Sequence, residues 1–93
     1  MKNIEIKKEE KTENGWNFLI EVGGNEDKIE YSVTLDEEYW EKLTNGQHSP
    51  AELIRRSFEF LLEREPKESI LRAFNLNVIN RYFREYENKI KKL

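Results

Sequence analysis

Two runs of alternating apolar residues constrain this chain more than anything else in it. In the first, Trp16, Phe18, Ile20 and Val22 alternate with Asn17, Leu19 and Glu21. In the second, Ile29, Tyr31, Val33 and Leu35 alternate with Glu30, Ser32 and Thr34. Period two is strand spacing and gives each strand one buried face. Between the runs lies Gly23-Gly24-Asn25-Glu26-Asp27, a turn composition. With Asn25-Glu26 at the tip, Gly24 faces Asp27. The pairs that follow are Val22–Ile29, Ile20–Tyr31, Phe18–Val33 and Trp16–Leu35. All are apolar and share a face, and a slip of one residue would break every pair.

A weaker strand precedes this hairpin. Ile4 and Ile6 alternate with Asn3, Glu5 and Lys7. Asn14-Gly15 has the composition of a two-residue turn, but such a loop would set Ile6 opposite Gly23, on the face away from the core. A three-residue loop, Glu13-Asn14-Gly15, pairs Thr12 with Trp16 and Ile6 with Val22, and needs Gly15 in the left-handed region. It also leaves Lys8 and Glu10 on the core side. They must snorkel or the strand must bend away, as in an edge strand guarded by charge.

After Asp36 the spacing changes to threes and fours. Asp36 is a suitable N-cap, Leu35 can staple onto Trp40, and Asn45-Gly46 stops a short first helix. Ser49-Pro50-Ala51-Glu52 is a capping box with proline in the first turn. It opens a helix over Ser49–Glu65, and Pro66 forbids continuation. The apolar residues Ala51, Leu53, Ile54, Phe58, Phe60, Leu61 and Leu62 cover more than half of that helix's circumference. A surface helix shows a stripe nearer 100° wide, so this one is central and touched from at least two sides. A further short helix is expected from Pro66 to Phe74, with Ile70, Leu71 and Phe74 inward. Asn77 is expected to cap a last helix whose stripe is Ile79, Tyr82, Phe83, Tyr86, Ile90 and Leu93. The expected fold class is α+β, a three-stranded antiparallel meander (1–35) followed by three helices (36–93), in one domain.

Composition sets the outer bounds. The chain has 93 residues, 37% hydrophobic and 38% charged, with net charge −3. That balance leans toward disorder, but 12% aromatics at strand or helix spacing oppose it. Both signs are mixed along the chain, which does not suit a general phosphate-binding coat. There is no cysteine, hence no disulfide framework or thiolate site. The N-terminal segment lacks the apolar core of a signal peptide, and no apolar run approaches a membrane span. The expectation is a cytoplasmic, soluble protein with no membrane partner.

Catalytic and metal constellations are weak. His48 is the single histidine and neighbours Ser49, which is better explained as a helix cap than as a nucleophile. The carboxylate groups Glu9-Glu10, Glu26-Asp27 and Asp36-Glu37-Glu38 lack ligand-loop spacing. Gly23-Gly24 is followed by neither Lys-Ser/Thr nor a helix, so it is no phosphate loop. No cofactor, no metal and no enzymatic activity are expected. The basic and aromatic residues of the last helix, Arg81, Arg84, Lys89, Lys91 and Lys92 with Tyr82, Phe83 and Tyr86, are read as a core stripe plus a cationic helix end.

The stretch SPAELIRRSFEFLLEREPKESILRAFNLNVINRYF, Ser49 to Phe83, resembles a family of short bacterial proteins without assigned function, most closely in FEFLLEREPKESILR and VINRYF. That resemblance implies a proline where this chain has Arg84, so the last helix is expected to run on here. The stretch Glu30–Arg64 also resembles the ribbon-helix-helix module of small dimeric repressors and antitoxins, in strand YSVTL, the helix opened by Asp36, the turn with Gly46, and SPAELIRRSFEFLLER. The groove-reading positions it implies are Glu30, Ser32 and Thr34, where that family usually has basic or amide residues.

The reading that follows is a non-enzymatic protein-interaction domain forming a homodimer. The over-wide apolar surface of Ser49–Glu65 and a strand Ile29–Leu35 left at the sheet edge motivate it. Tyr31, Val33, Phe60 and Leu62 are the candidate interface residues. The alternative is a ribbon-helix-helix-like DNA-binding or antitoxin protein.

Overall fold

The computed structural model describes residues 3–24 and 26–92. Among them it is an α+β fold, a four-stranded mixed sheet with four helices. Strands β1 (Ile4–Lys11), β2 (Gly15–Val22) and β3 (Ile29–Asp36) form the antiparallel meander, and β4 (Ala73–Asn75) joins beside β3 in parallel, giving the order β1-β2-β3-β4. The helices are α1 (Glu37–Thr44), α2 (Pro50–Arg64), α3 (Ile79–Tyr82) and α4 (Tyr86–Ile90).

The β2–β3 hairpin has the register that its alternation dictates. Val22 faces Ile29, Ile20 faces Tyr31, Phe18 faces Val33 and Trp16 faces Leu35. All of these but Trp16, which is half-buried, lie in the core. Asn25, placed at the tip by the sequence, lies outside the described residues. Gly23 sits at φ 128°, and a Cβ there would meet the Asp27 carbonyl oxygen at 2.3 Å, so glycine is required on both counts.

The β1–β2 connection differs from expectation. Lys11, not Thr12, faces Trp16, and the Thr12 N–H donates to the Gly15 carbonyl at 2.8 Å, which leaves Glu13-Asn14 as the loop. Gly15 is not left-handed. It is needed because a Cβ would lie 2.0 Å from the Leu35 carbonyl oxygen. The parity conflict is resolved inside the strand: the register shifts between Ile6 and Lys8. Such a bulge reverses which side chains face the core. Ile4 and Ile6 therefore sit opposite Val22 and Ile20, while Lys8 and Glu10 pair on the exposed side at 3.5 Å. Glu9 and Lys11 take the core-side positions and remain exposed, Lys11 laying its ammonium 5.2 Å from the Trp16 ring.

Asp36 occupies the N-cap of α1, but its carboxylate does not cap. The Glu37 N–H donates instead to the Asn14 carbonyl at 2.8 Å, and Asp36 accepts from Asn75 Nδ2 at 3.3 Å. The capping bond is thereby replaced by two ties, one to the first hairpin and one to β4. Asn45 (φ 53°) and Gly46 (φ 73°) end α1 in the left-handed region. Ser49 caps α2 as read, its Oγ accepting from the Glu52 N–H at 3.0 Å.

Helix α2 is central. Leu53, Ile54, Phe58, Phe60 and Leu61 are buried, and the helix packs against β1, α1 and α4. Burying Phe58 alone contributes roughly 1.5–3 kcal/mol. The wide apolar surface is thus covered by other parts of the same chain. Two polar groups go inside with it: Ser57 Oγ donates to the Leu53 carbonyl at 2.7 Å and lies 2.7 Å from Tyr86 Oη.

The C-terminal third departs most from the sequence reading. No helix runs from Pro66 to Phe74. A single 3-10 turn, Lys67–Ser69, leads into an extended segment and then β4. An offset of four places Ile70 and Phe74 on one side of a helix or of an extended chain, so the spacing does not distinguish them. The β3 edge decides: the Ser32 N–H donates to the Arg72 carbonyl at 2.8 Å, and Phe74 stacks 6.1 Å from Phe58. Strand Ile29–Leu35 is consequently internal over Ser32–Thr34 rather than an edge. The last helix also breaks, at Phe83 (φ −132°, ψ 95°), into α3 and α4, although Arg84 stands where a proline was implied. Asn77 does not cap it. Asn75 does the capping, accepting from the Asn77 N–H at 3.0 Å ahead of a 3-10 turn, Leu76–Val78. Leu93 lies outside the described residues.

Candidate functional site

The groups with the most perturbed acidities are tyrosines, and each hydroxyl joins two elements. Tyr31 Oη donates to the Lys67 carbonyl at 2.6 Å, fastening β3 to the connection that leads to β4. Burial pushes its pKa up to about 12, with Arg72 opposing. Tyr39 Oη donates to Glu87 Oε2 at 2.8 Å, fastening α1 to α4, and burial followed by this bond raises it far above the ordinary phenol value. Tyr86 is raised by burial, offset in part by its bond to Ser57. At Glu87 burial acts upward, but the hydrogen bonds from Tyr39 and Lys42 outweigh it and hold the carboxyl below its ordinary range. Lys67 is raised first by its hydrogen bond to Asp27, at 2.7 Å. These groups are latches between segments.

The four residues expected at an interface are placed elsewhere. Tyr31 and Val33 are 0% and 1% exposed, pointing into the core of their own chain. Phe60 is buried between Phe83 and Tyr86, with ring centroids 5.9 and 5.2 Å away, and carries the Arg64 guanidinium 3.6 Å from its centroid. It is the socket for α3 and α4, not a contact surface. Leu62 is half-buried against the same core, near Val22, Gly23 and Pro66. The physical reason is the extra packing around α2 and β3, which consumes the faces a partner was expected to cover.

The surface that is open lies at the other end of the sheet. A groove of about 300 Å³ runs between the C-terminal end of α2, the segment leading into β4, and α3. Its walls include Leu61, Ile70, Phe74 and Ile79. Leu71 and Tyr82 stand at its rim, 50% and 68% exposed, the two exposed large apolar side chains among the described residues. Helical spacing places both inward. Tyr82 left the stripe because the chain breaks one residue later, so that it no longer shares a helix face with Tyr86. Leu71 lies outside because the segment from Pro66 to Phe74 is not the expected helix. No local sequence signal separates these two from the core aromatics and leucines; only the break and the strand do.

No protein-family model, no curated protein and no solved structure matches this chain.

Chemically, the groove offers apolar contact and a strand edge. Glu65 is the carboxylate among its lining residues. A second cleft, beside α1, is lined by Glu37, Glu38 and Glu41 with Lys42 and Tyr39. Among the described residues, no three His, Cys, Asp or Glu side chains converge as a metal site, and no helix is long and apolar enough to cross a membrane.

Proposed function

We propose that this chain is a small non-enzymatic protein-interaction domain that binds through the β4 edge and the groove beside it. The observation that carries this is the coincidence of a strand last in the sheet order with Leu71 and Tyr82 exposed on an apolar groove. A protein strand added to such an edge gains main-chain hydrogen bonds, and side-chain pockets alongside give specificity. The latching role of the perturbed tyrosines supports a non-enzymatic reading, because their hydroxyls already have structural partners.

The homodimer is one way to occupy this edge. Its original motive, the wide apolar surface of α2, no longer supports it, since β1, α1 and α4 cover that surface. The DNA-binding reading has less support again. Glu30, Ser32 and Thr34 do face outward on β3, but they bring a carboxylate toward phosphate, and β3 is flanked by β2 and β4 where a partner ribbon would need an edge.

A photo-crosslinking residue placed in turn at position 71, 82 or 10 tests the proposal. Adducts with protein are expected from 71 and 82 and not from 10, which lies on the β1 edge. Equal adducts from all three positions would overturn it. Retardation of duplex DNA at low salt would favour the DNA reading instead.

A further inference from the structure

Independently of the β4 edge, we propose that Asn45–Gly46, the turn that ends α1, is a site of spontaneous covalent modification. There the Asn45 amide is lost to give aspartate and isoaspartate, while Asn14–Gly15 is held unreactive by the sheet. Asparagine is one of the thermolabile residues. Its reaction joins the backbone nitrogen of the next residue to the side-chain carbonyl carbon, so a following glycine, with no side chain in the way, reacts most readily. Asn14 and Asn45 are the two asparagines that precede glycine.

The chemistry needs no reactant but water. The Gly46 nitrogen gives up its proton and attacks Asn45 Cγ. The new N–C bond closes a cyclic imide, and the side-chain nitrogen leaves as ammonia. Water then opens the imide. Breaking the bond from nitrogen to Cγ leaves aspartate in a normal chain. Breaking the bond from nitrogen to the main-chain carbonyl carbon leaves isoaspartate, with the chain running on through the side chain. Either product carries a carboxylate in place of an amide.

Geometry separates the two pairs. A peptide unit moves as a plane, so bringing a glycine nitrogen onto the preceding Cγ also turns that asparagine's carbonyl. The Asn14 carbonyl accepts from the Glu37 N–H at 2.8 Å, and the Gly15 carbonyl accepts from the Thr12 N–H at 2.8 Å. Gly15 is buried, and a Cβ there would run into the Leu35 carbonyl oxygen. Turning this peptide unfastens the first hairpin from the start of α1. Asn45, Gly46 and Gln47 are all exposed. The Gly46 N–H is held by Thr44 Oγ1 at 3.1 Å, and the nearest atoms to a Cβ built at Gly46 are the Glu41 carboxylate oxygens at 3.6 Å. The Asn-Gly pair stands here for a conformational reason, since both residues end α1 in the left-handed region. Its reactivity comes with that role. An exposed turn reaches the reactive conformation by local opening, a buried strand junction only by opening of the sheet, and the rate follows the population of the open form.

The product loosens the turn. Residue 45 follows Glu41 by about one helical turn. A carboxylate there opposes Glu41 and the negative end of α1. The same turn leads to the His48 carbonyl, which accepts from Trp40 Nε1 at 2.8 Å, and the Trp40 ring stands 5.4 Å from Trp16. Tryptophan emission therefore reports on the change.

The test is to incubate the folded full chain in mildly alkaline buffer, cleave samples with trypsin and follow each site by mass spectrometry. Asn14 and Asn45 fall in different fragments, which begin after Lys11 and Lys42. Isoaspartate is identified by enzymatic methylation of its carboxyl group. Conversion at Asn45 is expected to be about tenfold or more faster than at Asn14, and the two rates should converge when the chain is unfolded in urea. Asn45→Asp should lower the urea midpoint and reproduce the tryptophan emission of the aged protein, whereas Asn45→Gly should do neither.

Equal conversion at the two positions in the folded chain would overturn protection by the sheet. An intact Asn45 in the folded chain, over a time in which the unfolded chain converts, would overturn the site. An Asn45→Asp variant with the parent's urea midpoint and emission would overturn the loosening of the turn.

Discussion

The two ends of the sheet are built on opposite plans. β1 is eight residues long, and from Lys7 to Lys11 every side chain is charged and exposed. Its register shifts after Ile6, Lys8 and Glu10 pair across its outer side, and Arg55 reaches over from α2 to bond the Ile4 carbonyl at 2.8 Å. Charge, a bulge and a covered carbonyl are the devices that stop an edge strand from pairing with another chain. Among the described residues, β4 has none of these. It is three residues, Ala73-Phe74-Asn75, parallel to β3, with an apolar groove on its flank. In a parallel ladder alternate residues bond the same neighbour; the Arg72 carbonyl serves β3, so the backbone of Ala73 is turned the other way. One edge carries the features that oppose pairing with another chain, and the other, among the described residues, carries fewer of them.

The sharpest way to break this contrast is at Gly15, which sets the β1–β2 turn. Gly15→Ala drives a Cβ into the Leu35 carbonyl and is expected to cost about 3 kcal/mol or more, read by urea unfolding. A near-neutral result would mean that β1 is not anchored as described. Tyr31→Phe comes next. It strands the Lys67 carbonyl and should cost about 1–2 kcal/mol. Hydrogen exchange should then accelerate at residues 70–75 more than in β1, because the lost bond holds the approach to β4. Acceleration confined to β1 would reverse the assignment of the looser edge.

Glu87 gives a pH signature. Its folded-state pKa lies below the unfolded value of about 4.3. Its contribution is therefore complete above that value and is lost as the pH falls through the folded pKa. Glu87→Gln should lower stability by about 1 kcal/mol at pH 7 and flatten the decline between about pH 5 and pH 3; an unchanged acid limb would show that the bond from Tyr39 does not hold α4. The smallest effects belong to the edges themselves. Leu71→Lys and Tyr82→Lys should each change stability by less than about 0.5 kcal/mol while reducing any self-association seen in sedimentation. Lys8→Val/Glu10→Val should do the opposite, promoting association through β1. If all of these variants leave sedimentation unchanged, the edges do not differ in the way described.

The residues that were legible from sequence share one property: their signal is local. Trp16 to Leu35 specify their partners through period-two alternation within twenty residues, and Ser49 specifies its helix start three residues away. The groove is assembled from residues that carry no such signal. Leu71 and Tyr82 have the spacing of core positions, and Ala73-Phe74-Asn75 is too short to show a period. The lysines and glutamates of β1 announced an edge guarded by charge, yet the position of the bulge was not readable, because either of two loops satisfied the turn composition.

By itself the sequence determined the β2–β3 hairpin with its register, the start of α2, and the central burial of that helix. The tertiary structure alone decided that residues 73–75 pair with β3, that the chain breaks at Phe83, and that Leu71 and Tyr82 remain outside. The reason is the range of the interactions. A strand of three residues forms only because β3 already presents an ordered row of hydrogen-bonding groups beside it. A side chain's exposure there depends on packing between segments some forty residues apart, which no short-range pattern encodes.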